Sequence, residues 1–446
     1  MVISMNSFTN TLALRLSLLA TLGFSIGCAP EEDETVKVGL ITSLQGGLAG
    51  FGGYLANAAI LAVREVNASG GLHAESKRVE LIILDDASNA TRAVAAARQL
   101  IEEDEVVAIV GPIGSGPTMQ VADLTLAAQI PQVTCCATSS LLTDRPETDR
   151  YLFRTAASDT LQARVLTNII LGIDGITELP ACTSPEIIYI NNDYGLPLAN
   201  ALQADLNTRG LSTEASIIEE SQSSYASTVE AVLARSPDCI VLISYAGEAA
   251  VVLRDAVELS MMLPESLRWI GTDGIKATDL ATMVGVTELP FIVQGTAPST
   301  PATNPQGDAF VASFLATFGG LDESGTTYAP PGSFADSQYD AMAMTLLAIE
   351  IAGSGDGPAI RDSLLSIRAE DGVQQSLVAP TALAEGLAEI RAGQRIDYIG
   401  AAGDIDFDAR GDVYGPFEVW RYNSAEETFT TLTTFSASEL LGSGSQ

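Results

Sequence analysis

Short apolar runs alternate with stretches of helical periodicity along most of this chain. Val36–Ile41 is the first run, followed by a glycine-bearing loop over Thr42–Gly52. From Gly53 onward Leu55, Ala58, Ala59, Ala62, Val63 and Val66 fall on one helical face, and Asn67–Gly71 stops the helix. Val79–Leu84 is a second strand ending in Asp85-Asp86, and Asn89 caps a helix through Glu103. Val106–Val110 is a third, stopped by Gly111-Pro112, and Gly114–Thr118 opens a helix carrying Met119, Ala122, Leu124, Leu126 and Ala127. A fourth strand, Gln132–Cys136, ends in the small polar turn Ala137–Ser140. The run Val106–Val110 is apolar throughout, as expected for a buried parallel strand. The βαβ succession predicts a doubly wound parallel sheet, with ligands bound beyond the carboxyl ends of its strands.

The same grammar restarts after Tyr151–Thr155. Strands are predicted at Ile187–Ile190, Glu214–Ile218, Ile240–Ile243 and Arg268–Gly271, with helices near 197–208, 225–235 and 247–261. Phe291–Gly295 then leads into Thr296–Pro305, a proline- and threonine-rich crossing between domains. Helices near 308–318, 336–351, 359–366 and 381–392 follow, and Ile405–Phe407 with Phe417–Trp420 read as a closing β-pair. The chain therefore divides into two α/β lobes joined by several strands, 36–156 with 297–402 and 157–296 with 403–446. Such a pair encloses a cleft that closes by a hinge.

Residues 1–27 carry Arg15, no acidic residue and an apolar stretch from Leu16 to Ile26, which reads as a secretory leader too short to span a membrane. Ser25-Ile26-Gly27-Cys28 resembles a bacterial lipobox, although Ser25 stands where an aliphatic residue is usual. Cys28 is then the lipidated first residue of the mature protein, or an ordinary cleavage nearby leaves it as a plain cysteine. A polar tether over 28–35 follows, and lipid on one cysteine would be the only membrane contact.

The formal net charge of −34, with only Lys37, Lys77 and Lys276 as lysines, argues against nucleic acid or an anionic lipid surface as partner. A single histidine, His73, and the absence of a CxxC pair argue against zinc and against Ser–His catalysis, so neither metal nor cofactor is expected. Cys182 and Cys239 each precede a predicted strand and can meet at one sheet edge as a disulfide. Cys135 and Cys136, adjacent in a buried strand, are expected to be separate thiols.

Taken in order, the glycine loop, Asp85-Asp86, Gly111–Thr118, Cys136–Thr138, Asn192–Gly195, Ser244-Tyr245, Gly271–Gly274, Tyr339–Ala341 and Gly403–Gly411 resemble the leucine/isoleucine/valine-type periplasmic binding proteins of ABC importers. The likeness runs from Val36 to the C-terminus and implies a type I periplasmic binding fold of two Rossmann-like lobes. It implies that Ser115, with Cys136, Ala137 and Thr138, grips an α-carboxylate. Tyr245 and Asp273 on the opposite lobe would take the α-ammonium, with Asp273 where a glutamate is common. Tyr194, Phe51 and Phe334 would line the pocket. A monomer that delivers a small amino acid to an inner-membrane permease is the function implied.

The residues support this on their own terms. A zwitterion leaving water needs donors for its carboxylate and an acid for its ammonium, each charge-assisted bond contributing roughly 1.5–3 kcal/mol. Leu44, Phe51 and Phe334 suggest an aliphatic side-chain pocket. Plainer roles stay open: Ser115 as a helix cap, Asp273 as a turn residue, Tyr245 as a core aromatic. So do a sensory module of the same fold, and an amide, urea or aromatic acid as ligand. A nucleotide enzyme fits poorly, because no GxGxxG directly follows the first strand and no P-loop lysine is present.

Overall fold

The computed structural model describes residues 35–441 except 73–76, 146–149, 174–179, 260–266, 302, 320–330 and 371. The leader, Cys28, most of the tether and His73 lie outside the described residues. Among the described residues, no helix is long and apolar enough to cross a membrane.

The first sheet takes β1 (Thr35–Thr42), β2 (Arg78–Asp85), β3 (Ala108–Val110), β4 (Gln132–Thr134) and β5 (Leu152–Arg154) in the order β2-β1-β3-β4-β5, all parallel. β3, β4 and β5 are buried at every position, although only β3 (Ala-Ile-Val) is wholly apolar; Gln132, Thr134 and Arg154 are buried with it. The helices Ala49–Ala68 and Ala335–Ala352 pack against each other over this lobe. The first buries one stripe, including Phe51, Leu55, Ala59, Ala62 and Val66; the second is buried almost all round.

The second sheet takes β6 (Pro185–Ile190), β7 (Glu214–Ile218), β8 (Cys239–Ile243), β9 (Arg268–Gly271) and β10 (Ile292–Pro298), in the parallel order β10-β9-β8-β6-β7. A two-stranded parallel ladder, β11 (Ser376–Val378) and β12 (Ile396–Tyr398), stands apart. The chain end differs from the expected closing pair. β13 (Phe417–Asn423) pairs with β14 (Thr428–Phe435), not with residues 405–407, and β13 also joins β10 antiparallel with Gly295 opposite Trp420. β14 alternates threonine with Phe429, Leu432 and Phe435, a half-buried edge pattern easily taken for a polar tail.

Three segments cross between the lobes side by side. Arg154 N–H donates to Gly411 O (2.9 Å), Ser299 N–H to Pro416 O (2.9 Å), and Thr155 Oγ1 to Ser337 O (2.7 Å). The last crossing is pinned by Asp340, fully buried, whose carboxylate accepts from Tyr398 O–H (2.8 Å), Ala401 N–H (2.7 Å) and Ala402 N–H (2.8 Å). Burial pushes that carboxyl up to about 7 despite these bonds.

Candidate functional site

Where the two sheets face each other, the carboxyl ends of their strands converge on one small cavity. It is nearly closed, with about 20 Å³ of space left free, and is lined by Leu48, Phe51, Ile113, Ser115, Cys136, Thr138, Tyr194, Tyr245, Asp273, Gly274 and Phe334. The structure thus brings together every ligand-binding residue singled out in the sequence except Ala137. Its methyl group turns away into a cluster with Ala122, Leu142 and Leu152. Leu44 is not in the wall: it is 47% exposed, and Leu48 and Ile113 supply the apolar surface instead. Its backbone explains this, because Leu44 N–H is tied to Asp85 Oδ1 (2.8 Å) and the side chain faces out.

On the first lobe, local chemistry fixes a donor cluster. Gly111 has φ +91°, and a Cβ there would collide with Ile41 O, so only glycine turns the chain out of β3 at this point. Pro112 O accepts from Thr118 Oγ1 (3.0 Å) and Thr134 Oγ1 (2.6 Å), locking the turn. Ser115 then starts a 14-residue helix, its Oγ accepting from Ser139 N–H (3.4 Å). The Thr138 hydroxyl is buried beside the Asp159 carboxyl. A helix start, two hydroxyls and a turn of backbone amides gather at this corner, a set of donors suited to an anion.

The second lobe presents acid. Asp273 opens a short 3-10 helix after β9 and is 3% exposed. The Tyr194 hydroxyl lies 2.9 Å from its Oδ1 and 2.7 Å from Thr272 Oγ1, and the Tyr194 ring stacks on Tyr245 with centroids 5.3 Å apart and planes 9° from parallel. Tyr194 therefore orients the acid as well as lining the wall. The Tyr245 hydroxyl is buried without a partner.

Asp159, which the sequence reading missed, is the second buried acid here. It is 1% exposed, the Thr138 hydroxyl and the Arg154 charge are its polar neighbours, and Ser158 caps the helix Asp159–Leu171 that carries it. Its only local signal is Ser-Asp at a helix start, which reads as a cap. Burial first, then the neighbouring Asp273 charge, drives the Asp159 carboxyl well above the usual carboxylate range. Burial likewise pushes Asp273 up to about 6, with the Gln162 amide and the Tyr194 hydroxyl pulling it back. Two such acids cannot both ionise comfortably unless a cation sits between them.

A cation bound there displaces the proton, so its binding is expected to weaken as pH falls below about 6, by up to roughly tenfold per pH unit. Calorimetric titration across that range checks this. Affinity unchanged from about pH 7 to about pH 5 excludes Asp273 as the cation's partner.

The glycine loop does a different job from the one its composition suggests. Gly47 O accepts from Gly247 N–H (3.0 Å) across the cleft, and a Cβ on Gly247 would stand 2.9 Å from Gly47 Cα. These glycines let the lobes meet backbone to backbone. Asp85 and Asp86 hold the loop from below: Asp85 accepts from Leu44 N–H, Ala87 N–H and Gln45 Nε2, and Asp86 from Ser43 Oγ and Ser88 N–H.

The cysteines also differ from expectation. Cys135 and Cys136 are bonded to each other rather than left as separate thiols, because the chain bends straight after β4 and brings their sulfurs together at the cavity wall. Cys182 and Cys239 are bonded, with Cα atoms 6.1 Å apart. Asp238 is the acid beside that pair, but its carboxylate is taken by Thr183 N–H, Thr183 Oγ1 and Ser184 N–H, and the sulfurs hold each other.

Comparison with known proteins follows this geometry. Residues 35–385 match the family described as periplasmic binding protein. The chain is 27% identical over 347 residues to the Leu/Ile/Val-binding protein BraC3 of Rhizobium johnstonii, covering 76% of this chain and 86% of that one. Among solved structures it matches the leucine binding protein LivK of Thermotoga maritima with a TM-score of 0.72 at 21% identity, over 90% of this chain and 99% of that one. It matches the branched-chain amino acid transporter substrate binding protein LivJ of Streptococcus pneumoniae, solved with isoleucine, with a TM-score of 0.68 at 19% identity, over 89% and 99% of the two chains.

Proposed function

The chain belongs to the periplasmic binding protein family, and on that premise we propose that it captures the zwitterion of a small aliphatic L-amino acid between its lobes and hands it to an ABC permease. Its relatives are binding proteins rather than enzymes, and the family works outside the cytoplasm. The observation that carries the ligand class is the polarity of the cavity. Ser115, Thr138 and a helix start on one lobe face Asp273 and Tyr245 on the other. A carboxylate on the first side and an ammonium on the second match these two polarities. An aromatic acid or urea would leave the buried Asp273 carboxylate without a cation. Leu48, Phe51, Ile113 and Phe334 leave an apolar corner for a short aliphatic side chain. Within this reading Cys28 carries the lipid anchor, the lobes divide at 156/157, 296/297 and 402/403, and the protein acts as a monomer.

Thermal unfolding against the proteinogenic amino acids tests the reading. At one hundred times its dissociation constant a true ligand adds about 2.7 kcal/mol. Leucine, isoleucine or valine is expected to raise the midpoint. If only a urea, an amide or an aromatic acid does so, the zwitterion assignment is wrong although the fold stands.

A further inference from the structure

Two segments far apart in sequence, Tyr151–Thr155 and Asp408–Asp412, meet behind the donor corner, and neither touches the cavity. Their meeting point is Arg154, at the end of β5. Its side chain is 1% exposed in a chain that has few cations. Nη1 donates to both Thr138 O (2.9 Å) and Ser139 O (3.0 Å), Nη2 to Thr143 Oγ1 (2.5 Å), and Nε lies 2.7 Å from Asp412 Oδ1. Thr143 Oγ1 in turn donates to Asp412 Oδ2 (2.6 Å), so the carboxylate is engaged on both oxygens.

Asp412 is itself held. Asp408 Oδ1 accepts from Arg410 N–H (2.8 Å) and Asp412 N–H (3.0 Å), and Asp408 N–H donates to Asp412 O (2.9 Å), closing a tight turn in the last crossing between lobes. Thr138 O accepts from Asp159 N–H (2.9 Å) as well as from Arg154, and Ser139 N–H reaches Ser115 Oγ. One guanidinium thus fixes the turn that bears Thr138, the neighbour of Ser115, and the start of the helix bearing Asp159. A buried guanidinium is costly unless every donor is engaged, and a planar fork with several donors suits carbonyls and a carboxylate at once.

We propose that Arg154 is a positioning residue for ligand binding, holding the carboxylate-gripping turn 137–139 in register with the inter-lobe crossing through Asp412. This inference rests on the amino-acid reading of the cavity. Arg154→Lys keeps the charge but cannot reach both carbonyls and Asp412 together.

The test uses the purified protein with two probes, L-leucine and L-leucinamide, which share ammonium and side chain but differ in the carboxylate. Arg154→Lys is expected to weaken L-leucine by roughly tenfold or more and L-leucinamide by clearly less, so the preference for the carboxylate shrinks. In the ligand-free protein, amide hydrogen exchange should rise at 137–139 and at Asp159 while β8 and β9 keep their protection. Asp412→Asn, which preserves the shape, should shift both readouts the same way by less, and it decides the matter if the lysine variant does not fold. Equal losses for the two probes, or unchanged exchange in the turn, overturn the proposal. If wild type binds neither probe, the amino-acid reading falls and takes the binding role of Arg154 with it, and the exchange readout then decides only whether Arg154 orders the turn.

Discussion

Asp273→Asn is expected to weaken amino-acid binding by about two orders of magnitude and, at neutral pH, to raise the melting temperature of the ligand-free protein. The two effects have one cause. The carboxylate is 3% exposed beside a second buried acid, and its charge is compensated only when an ammonium arrives. Removing one partner of a desolvated charge pair costs about 2–5 kcal/mol of binding, the scale behind the first figure. Without ligand the same charge is a liability. The folded-state value of about 6 stands above the usual 3.8, so the folded protein binds this proton more tightly than the unfolded chain does. Stability from this group is therefore present below 3.8 and lost as pH rises toward about 6. The asparagine variant lacks that loss. Melting curves for the two proteins should nearly coincide near pH 4 and separate by a few degrees at about pH 7. A variant that binds normally, or that melts lower than wild type at neutral pH, contradicts this account of the site.

Gly247→Ala is expected to weaken binding by roughly tenfold without lowering the ligand-free melting temperature. Its new Cβ would stand 2.9 Å from Gly47 Cα, and both partners in that contact are backbone, which cannot swing aside. The contact exists only when the lobes meet, so the overpacking, typically about 1–3 kcal/mol, falls on the closed form alone. A ligand that must close the cleft then loses that much apparent affinity. Within its own lobe the change is mild or favourable, since Gly247 lies in the first turn of the helix Ala246–Glu258, where alanine is the better helix former. Calorimetry with X-ray scattering of the liganded protein checks both halves. Unchanged affinity would show that closure does not need the Gly47–Gly247 approach.

Much of this arrangement is legible in the sequence, and the parts that are not share a reason. Unbroken apolar strands such as AIV at 108–110 and CIVLI at 239–243 announce a parallel sheet because both faces are covered. Gly111 and Ser115 announce a turn and helix start at a strand end, where such sheets bind ligands. Asp159 announces nothing beyond a helix cap, and its meaning comes from Asp273 on a different strand-helix unit. Leu44 and Leu48 sit in one irregular loop, where no period tells which faces the cavity. β14 failed for want of context: its threonines look like a tail until β13 supplies the neighbouring ladder.

That last strand pair also bears on how the protein is made. β10 is completed by β13, drawn from residues 417–423, and helices between 305 and 391 cover a lobe whose sheet is finished by residue 154. Neither lobe can bury its core while the chain is still emerging from the ribosome. Synthesis of nearly all of it must precede the first complete domain, and β10 is an unpaired edge until then. A chain released early, short of residue 417, would carry that open edge permanently, so the segment 417–423 decides whether the second sheet is sealed.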